Sequence, residues 1–244
     1  MIDVHCHLLP GIDDGPNAWE ESVAMARLAV ANGITHTVAT PHIHMGRWDN
    51  DRHIIARQLS RLRECLAEAN VPLQLAMAAE VRIGVEILPL IEAGQIPYLG
   101  TYQDQKVLLL ELPHSHIPMG TERLVEWLLK RNILPMIAHP ERNKDVMRKL
   151  DKIRPFIELG CLLQLTAGAI AGSFGEMAQR RAVDLLNMDA VFAIASDAHN
   201  CRQRPPDLET GRVAACRHIG TVAANRLVHD NPRALTQVHF EAQI

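Results

Sequence analysis

The stretch that decides the fold is residues 1–16, Met-Ile-Asp-Val-His-Cys-His-Leu-Leu-Pro-Gly-Ile-Asp-Asp-Gly-Pro. Its beginning is typical of a short buried strand, and His5 and His7, two residues apart, project to the same side of an extended chain. Asp13 and Asp14 follow in a tight loop. Two imidazoles with carboxylates nearby favour a metal site. Ordinary hydrogen-bonded strand histidines are the alternative, so the rest of the chain must decide.

The composition excludes several classes of protein. The chain has 244 residues, 48% of them hydrophobic, which is ample for a substantial core. A formal net charge of −3 argues against binding to nucleic acid or to an anionic membrane. Five scattered cysteines without CxxC spacing argue against a disulfide framework. Without a leader segment or an apolar run of about 20 residues, we expect a cytoplasmic protein that is not inserted in a membrane.

Short apolar runs alternate with helical patterns, which predicts parallel βαβ units in an α/β fold. We expect one domain over residues 1–244, with Asn17 capping the first helix. A helical tail from about residue 207 is polar enough to pack on the outside. About seven such units most simply close into a TIM-like barrel, and an open doubly wound sheet is the alternative. The predicted strands are residues 1–6, 34–40, 71–80, 106–112, 133–138, 161–165 and 190–195.

Nearly every predicted strand ends in a histidine or a carboxylate. In a parallel barrel these ends share one rim, where barrel enzymes have their active sites. So many polar residues in register are hard to explain as solvated surface, because the strands before them are apolar. In strand order these residues are His5 and His7, His42, Glu80, Glu111, His139, and finally Asp197 with His199.

These candidates predict a metal cluster. Mixed imidazole and carboxylate ligands suit Mn, Fe or Zn, and the absence of cysteine ligands argues against a structural zinc site. The candidates exceed what one ion takes, so we expect two or three ions with a shared carboxylate between them. Asp13 or Asp14 could join them, and the sequence does not separate the two.

Two arginines follow the candidate ligands. Arg142 ends the motif Ala-His-Pro-Glu-Arg, and Arg204 precedes two prolines. The guanidinium fork matches planar oxyanions, so beside a metal cluster we expect phosphate binding rather than a surface ion pair. Arg202 is the weaker candidate. His44 is a secondary metal candidate. Loop surface is the interpretation for His114 and His116, and a solvated position for His53, His218, His229 and His239.

In order, these motifs resemble those of the bacterial PHP-type (polymerase and histidinol phosphatase) protein tyrosine phosphatases, the CpsB/CapC type of capsule and exopolysaccharide loci. The resemblance covers the chain nearly end to end. Cys6 is a departure, because the family often has serine there. The matching motifs are the opening stretch, Ala-Thr-Pro-His at 39–42, Ala-Ala-Glu at 78–80, Leu-Glu-Leu-Pro at 110–113, Ala-His-Pro-Glu-Arg at 138–142, Ser-Asp-Ala-His-Asn at 196–200 and Arg-Pro-Pro at 204–206.

The resemblance implies a distorted barrel of seven βα units with up to three divalent ions, most often Mn²⁺, with Fe, Zn, Co or Mg as alternatives. It implies a phosphotyrosine protein as substrate, typically the tyrosine-rich tail of a bacterial autokinase that controls polysaccharide chain length. It also implies three ligand sets: His5, His7, Glu80 and Asp197 for one ion; Glu80, Glu111 and His139 for a second; Asp14, His42 and His199 for a third.

Three hypotheses about function follow. In the first, a metal-activated hydroxide hydrolyses phosphotyrosine while Arg142 and Arg204 bind the phosphoryl oxygens. The second keeps this chemistry but takes a small phosphate monoester such as histidinol phosphate. The third is a regulator that binds without turnover, which a complete set of ligands argues against.

Overall fold

The computed structural model describes residues 1–240, and its strands form a parallel barrel. Two of the predicted strands are each divided in two by a two-residue break, after Ala39 and after Met77. The strands are β1 (Ile2–Cys6), β2 (His36–Ala39), β3 (His42–Ile43), β4 (Gln74–Met77), β5 (Glu80–Arg82), β6 (Gly100–Tyr102), β7 (Gln105–Glu111), β8 (Ile133–Ala138), β9 (Leu162–Thr166) and β10 (Ala193–Ala195).

The barrel closes between its first and last strands. One sheet has the order β1-β2-β4 and the other has the order β3-β5-β7-β8-β9-β10, so the divided strands join the two sheets. A parallel bridge between Cys6 and Ala198 connects the remaining edges, and the His7 amide donates to the Ala198 carbonyl at 2.8 Å. With β2/β3 and β4/β5 each counted once, seven parallel strands surround the interior over residues 1–240, and β6 pairs antiparallel with β7. The predicted barrel is confirmed, and the open sheet is wrong.

Helices cover the outside of the barrel. In helix α2 (Arg52–Glu68) the Asp51 carboxylate caps the first turn, and the leucine and isoleucine stripe faces the core. The first helix begins at Trp19, so the prediction that Asn17 caps it is wrong. Over residues 1–240, no helix is long and apolar enough to cross a membrane. The helices are α1 (Trp19–Ala31), α2 (Arg52–Glu68), α3 (Ile87–Glu92), α4 (Thr121–Leu129), α5 (Lys144–Arg148), α6 (Arg154–Glu158), α7 (Ala167–Ala171), α8 (Glu176–Asn187), α9 (Glu209–Val228) and α10 (Asp230–Phe240).

The core has two layers because side chains alternate along each strand. One layer lies between the barrel and the helices and includes Leu108 and Leu110. The other fills the barrel and includes Val107 and Leu109 from the same strand. The interior residues of each strand therefore point towards the barrel axis and are followed, at the carboxyl end, by the candidate ligands.

The last helix corrects the expectation that the tail packs on the outside. Leu235 of α10 is fully buried and belongs to the interior cluster. The helix lies so close to β6 that a Cβ at Gly100 would fall 1.9 Å from the Leu235 carbonyl oxygen. His239, which we expected to be solvated, is half-buried and its Nε2 lies 3.1 Å from the Leu99 carbonyl oxygen. The tail therefore contributes to the barrel interior.

We expect Leu235→Ala to lower the free energy of unfolding by about 2–5 kcal/mol, since it leaves a cavity in the interior. Val238 lies on the same helix and is 52% exposed, so Val238→Ala should change stability by no more than about 0.5 kcal/mol. Urea denaturation of both variants measures the difference. Equal, small losses would mean that α10 is not part of the interior.

Candidate metal centre

The structure brings the predicted strand-end residues together at one mouth of the barrel. The alternation of each strand explains how. Glu111 continues the interior series of Val107 and Leu109, and Asp197 continues that of Ala193 and Ala195. The ligand atoms fall into three groups, within each of which every pair of atoms lies within 4.8 Å.

The first group is entirely buried and consists of His5, His7, Glu80 and Asp197. The Nε2 atoms of the two histidines lie 3.2 Å apart. Each also lies close to a Glu80 oxygen, at 3.3 Å from His5 and 3.2 Å from His7. Asp197 Oδ1 is 3.2 Å from His5 Nε2. This is the set that the family resemblance implies for one ion.

The other two groups share His42. One joins His42 to Glu80 and Glu111, and the other joins it to His7, Asp14 and His199. The resemblance instead implies His139 as the partner of Glu80 and Glu111. His139 Nε2 is 2.7 Å from Glu80 Oε1, while His42 Nδ1 faces the other Glu80 oxygen at 3.1 Å. His139 therefore lies at the edge of the cluster, and its assignment to the second ion stays a prediction.

A bulge in β1 aims His5 into the site. The pairing with β2 shifts between Asp3, opposite Thr37, and Cys6, opposite Ala39. Three steps along β1 thus match two along β2, which is how a bulge turns consecutive side chains to one face. Val4 belongs to the interior cluster, and the next residue, His5, also faces inward. Nothing in the sequence marks this bulge.

Hydrogen bonds on the outer ring nitrogens orient three of the histidines. His7 Nδ1 lies 2.7 Å from Asp13 Oδ2, and His199 Nδ1 lies 3.0 Å from the carbonyl oxygen of Asp197. His5 Nδ1 lies 2.8 Å from Gln164 Oε1. These partners accept, so each Nδ1 donates and each Nε2 is the ring nitrogen that faces the centre. This is the arrangement that orients metal-binding histidines.

The two adjacent aspartates have different positions. The Asp13 side chain is buried beside His7, whereas Asp14 reaches His42 and His199 at 3.4 and 3.3 Å. The next residue must be small, because a Cβ at Gly15 would lie 2.7 Å from the His7 carbonyl oxygen. The residues alone left Asp13 and Asp14 unresolved, and only the family resemblance implied Asp14. Sequence reasoning missed Gln164, which has no recognisable motif around it.

The electrostatics of the centre favour a cation. Burial and the neighbouring Glu80 raise the pKa of Glu111 to about 7. Burial opposes ionisation of Asp197, yet Arg142 and His5 bring its pKa well below the usual range. Burial and nearby positive charge lower the pKa of His139 and of His199 to about 4, so both imidazoles are neutral at pH 7. Neutral imidazole is the form that binds metal.

The residues present fit a metal ion. Glu111 Oε2 is buried and has no hydrogen-bond partner among residues 1–240, and His42 Nδ1 is buried 3.1 Å from a Glu80 oxygen without forming a hydrogen bond to it. An unpaired buried acceptor is costly, and a cation would satisfy several of them together. His139 and Asp197 also adopt left-handed backbone conformations, with φ of 35° and 51°. Non-glycine residues in this region cost about 1–3 kcal/mol and concentrate at functional sites.

Both predicted arginines lie beside the first group. Arg142 Nη2 and Arg204 Nη2 are 2.7 and 2.6 Å from Asp197 Oδ2. Arg202, the weaker candidate for phosphate binding, is exposed. His44 belongs to none of the three ligand groups found within residues 1–240. His114 is exposed but borders a small cavity of about 40 Å³ beside Glu111, whereas His116 is at the surface.

A hairpin after β3 supports His42 from one side. His44 and Trp48 form an antiparallel bridge, and the Trp48 ring stacks on the His42 ring with centroids 4.6 Å apart and planes 5° apart. Asn50 donates to the carbonyl oxygens of His42 and Ile12, both at 2.8 Å, which fixes the end of the hairpin. The fluorescence of Trp48 should therefore respond to an ion that binds at His42.

Comparison with known proteins agrees with this geometry. The model of the family described as "Capsular polysaccharide synthesis, CpsB/CapC" matches residues 1–237. The chain belongs to the CpsB/CapC family. This confirms the family inferred from the motifs.

Relatives in this family are named as phosphatases. Tyrosine-protein phosphatase YwqE of Bacillus subtilis is 34% identical over 204 residues, which cover 84% of this chain and 79% of YwqE. Tyrosine-protein phosphatase CpsB of Streptococcus pneumoniae is 30% identical over 240 residues, which cover 96% and 98% of the two chains.

Solved structures support the CpsB/CapC fold. A structure from the work on B. subtilis YwqE and S. pneumoniae CpsB, described there as metal-dependent tyrosine phosphatases, matches with a TM-score of 0.90 and 30% identity. It covers 97% of this chain and 94% of the other. The phosphotriesterase homology protein of Escherichia coli matches with a TM-score of 0.60 at 13% identity, which concerns the fold alone.

We expect Mn²⁺ to quench the fluorescence of Trp48, because a paramagnetic ion at His42 would lie beside the stacked indole. Trp48→Phe should remove most of the Mn²⁺-dependent change. Trp127→Phe is the matched control, since that indole lies on α4 and contacts Arg131 instead. Titration of the three proteins checks this, and full quenching in Trp48→Phe would contradict the prediction that Trp48 carries the signal.

Proposed function

We propose that this chain is a metal-dependent phosphatase that hydrolyses phosphotyrosine on a protein substrate. The observation that carries the proposal is the convergence of the three ligand groups and two arginines at one mouth of the barrel. The names of the CpsB/CapC relatives support the reaction class.

The metal ligands in this proposal are nine residues, and Mn²⁺ is the ion we propose. Bound divalent ions activate water as a nucleophile and neutralise charge on the phosphoryl group. Glu80 belongs to two of the three groups, which suits a carboxylate shared between ions. Asp13 and Gln164 keep His7 and His5 in the orientation needed for binding. The proposed ligands are His5, His7, Asp14, His42, Glu80, Glu111, His139, Asp197 and His199.

Arg142 and Arg204 bind the phosphoryl oxygens in this proposal. Each places one nitrogen on Asp197, and each Nε is buried without a hydrogen-bond partner among residues 1–240. Donors therefore remain for an oxyanion, which a guanidinium binds through two parallel hydrogen bonds. Charge that develops on the phosphoryl oxygens is stabilised by these fixed cations. Tyrosine is a fair leaving group, since its pKa is about 10.

The shape of the site favours a protein substrate. A groove of about 590 Å³ leads away from Asp14 and His199 between the start of α1 and the loop after β10. Asn17, Arg202 and Gln203 border it, so it offers hydrogen bonds to a peptide backbone. We propose the tyrosine-rich tail of a bacterial autokinase as the partner. Cytoplasmic location stays a prediction.

We expect His139→Ala and Asp197→Ala to reduce hydrolysis of p-nitrophenyl phosphate with Mn²⁺ to background, because each removes a proposed ligand. His218→Ala is the control, since His218 is exposed on α9. Circular dichroism and the melting temperature would show whether the variants still fold. A folded Asp197→Ala protein with wild-type turnover contradicts the proposal.

The substrate class requires a separate comparison. We expect kcat/KM on a phosphotyrosine peptide to exceed that on histidinol phosphate, because the groove of about 590 Å³ beside Asp14 and His199 leaves room for a peptide beyond the phosphate. The reverse order would favour a small monoester as substrate. Measurable Mn²⁺ binding without turnover of either compound would favour a regulator.

Removing the ions should destabilise the fold, because buried carboxylates would lose their counter-charge. Saturating Mn²⁺ at about 100 times its Kd should add about 2.7 kcal/mol to the free energy of unfolding, relative to protein in EDTA. Thermal and urea unfolding with and without EDTA measure this. Asp197→Ala should show a much smaller response.

A further inference from the structure

Phe174 lies in the loop between α7 and α8, and its ring faces both arginines. The Arg142 Cζ atom is 4.7 Å from the ring centroid, and the Arg204 Cζ atom is 5.9 Å from it. Both distances fall within the range of about 6 Å over which an aromatic face attracts a cation. The two guanidinium groups therefore share one aromatic ring as well as one Asp197 oxygen.

The shared aromatic ring offsets the repulsion between the two arginines. Two guanidinium groups that converge on one oxygen repel each other, and Asp197 also belongs to the first ligand group. A carboxylate that serves a metal ion has less negative charge to offer the arginines. An aromatic ring attracts cations without being a ligand, so it can keep the pair together whatever Asp197 binds.

The ring itself is fixed by its loop. A Cβ at Gly168 would lie 3.1 Å from Phe174 Cε2, so the bare backbone of α7 supports the ring. Gly172 and Gly175 on either side of the loop have φ of 97° and 87°, which favours glycine. The Ser173 amide donates to the Gly168 carbonyl at 2.8 Å. Phe174 is therefore held in place before any ligand binds.

We propose that Phe174 is a positioning residue that keeps Arg142 and Arg204 in the geometry that binds a phosphoryl group. The inference rests on the proposed function, because it assumes that the arginines bind phosphate. Phe174 acts through the two guanidinium groups and not through the ions. Its loss should therefore weaken phosphate binding and leave metal binding intact.

The test uses the full chain loaded with Mn²⁺. Phe174→Leu keeps an apolar side chain but removes the aromatic face, whereas Phe174→Trp keeps that face. Phe240→Leu is the matched control, because Phe240 is a half-buried ring that contacts a histidine, His36, on another part of the molecule. The readouts are the inhibition constant of inorganic phosphate, KM and kcat on p-nitrophenyl phosphate, Mn²⁺ affinity and the melting temperature.

We expect Phe174→Leu to raise the inhibition constant of phosphate and KM about five- to tenfold, the size of effect a partly desolvated cation–π contact produces. Phe174→Trp should restore phosphate binding, and Mn²⁺ affinity should match wild type in every variant. Gly168→Ala, which adds a methyl group against the ring, should shift the same constants in the same direction. It serves as the second variant if Phe174→Leu does not fold.

Two results would overturn the inference alone. One is wild-type phosphate inhibition in a folded Phe174→Leu or Gly168→Ala protein. The other is an equal loss of phosphate affinity, Mn²⁺ affinity and melting temperature in the Leu and Trp variants, which would indicate a purely structural role. Wild-type protein that neither binds phosphate nor hydrolyses the ester would instead overturn the proposed function, and this inference with it.

Discussion

The structure depends on bringing three carboxylates, Glu80, Glu111 and Asp197, into one largely buried space. Like charges in a poorly solvated interior are expensive, and the cost shows as the raised pKa of Glu111. Two guanidinium groups supply opposing charge at Asp197, and the imidazoles offer donor atoms for the cations that would supply the rest. The barrel provides a rigid frame that can impose such an arrangement.

Much of the barrel and of the candidate site could be predicted from the sequence, because apolar strand patterns and helical patterns alternate along it. Apolar runs alternating with helical patterns indicate parallel strands, and the ends of parallel strands lie on one side. The residues at those ends, from His5 to His199, could therefore be placed near one another without any knowledge of their contacts. The closed barrel could be predicted from the number of strands, and in the structure the parallel bridge between Cys6 and Ala198 closes it.

The remaining features depend on contacts that leave no pattern in the chain. Asp13 and Asp14 are neighbours with the same side chain, and only the fold places one beside His7 and the other beside His42. The sequence does not distinguish Gln164 from other strand residues, and only the folded structure shows its hydrogen bond with His5. The polarity of the tail predicted an external position, yet one leucine in α10 reaches the barrel interior. Individual contacts of this kind decide where a segment packs, even when its average polarity predicts an external position.

Closure between the first and last strands also fixes when the site can form. Asp3 accepts hydrogen bonds from the Ser196 amide and hydroxyl, 193 residues further along the chain. During synthesis, which proceeds from the N-terminus, His5 and His7 exist for most of the time without the residues that complete their surroundings. Pairings so distant in sequence are made late and slowly. Synthesis must therefore proceed past Arg204 before any of the chain can become a catalyst.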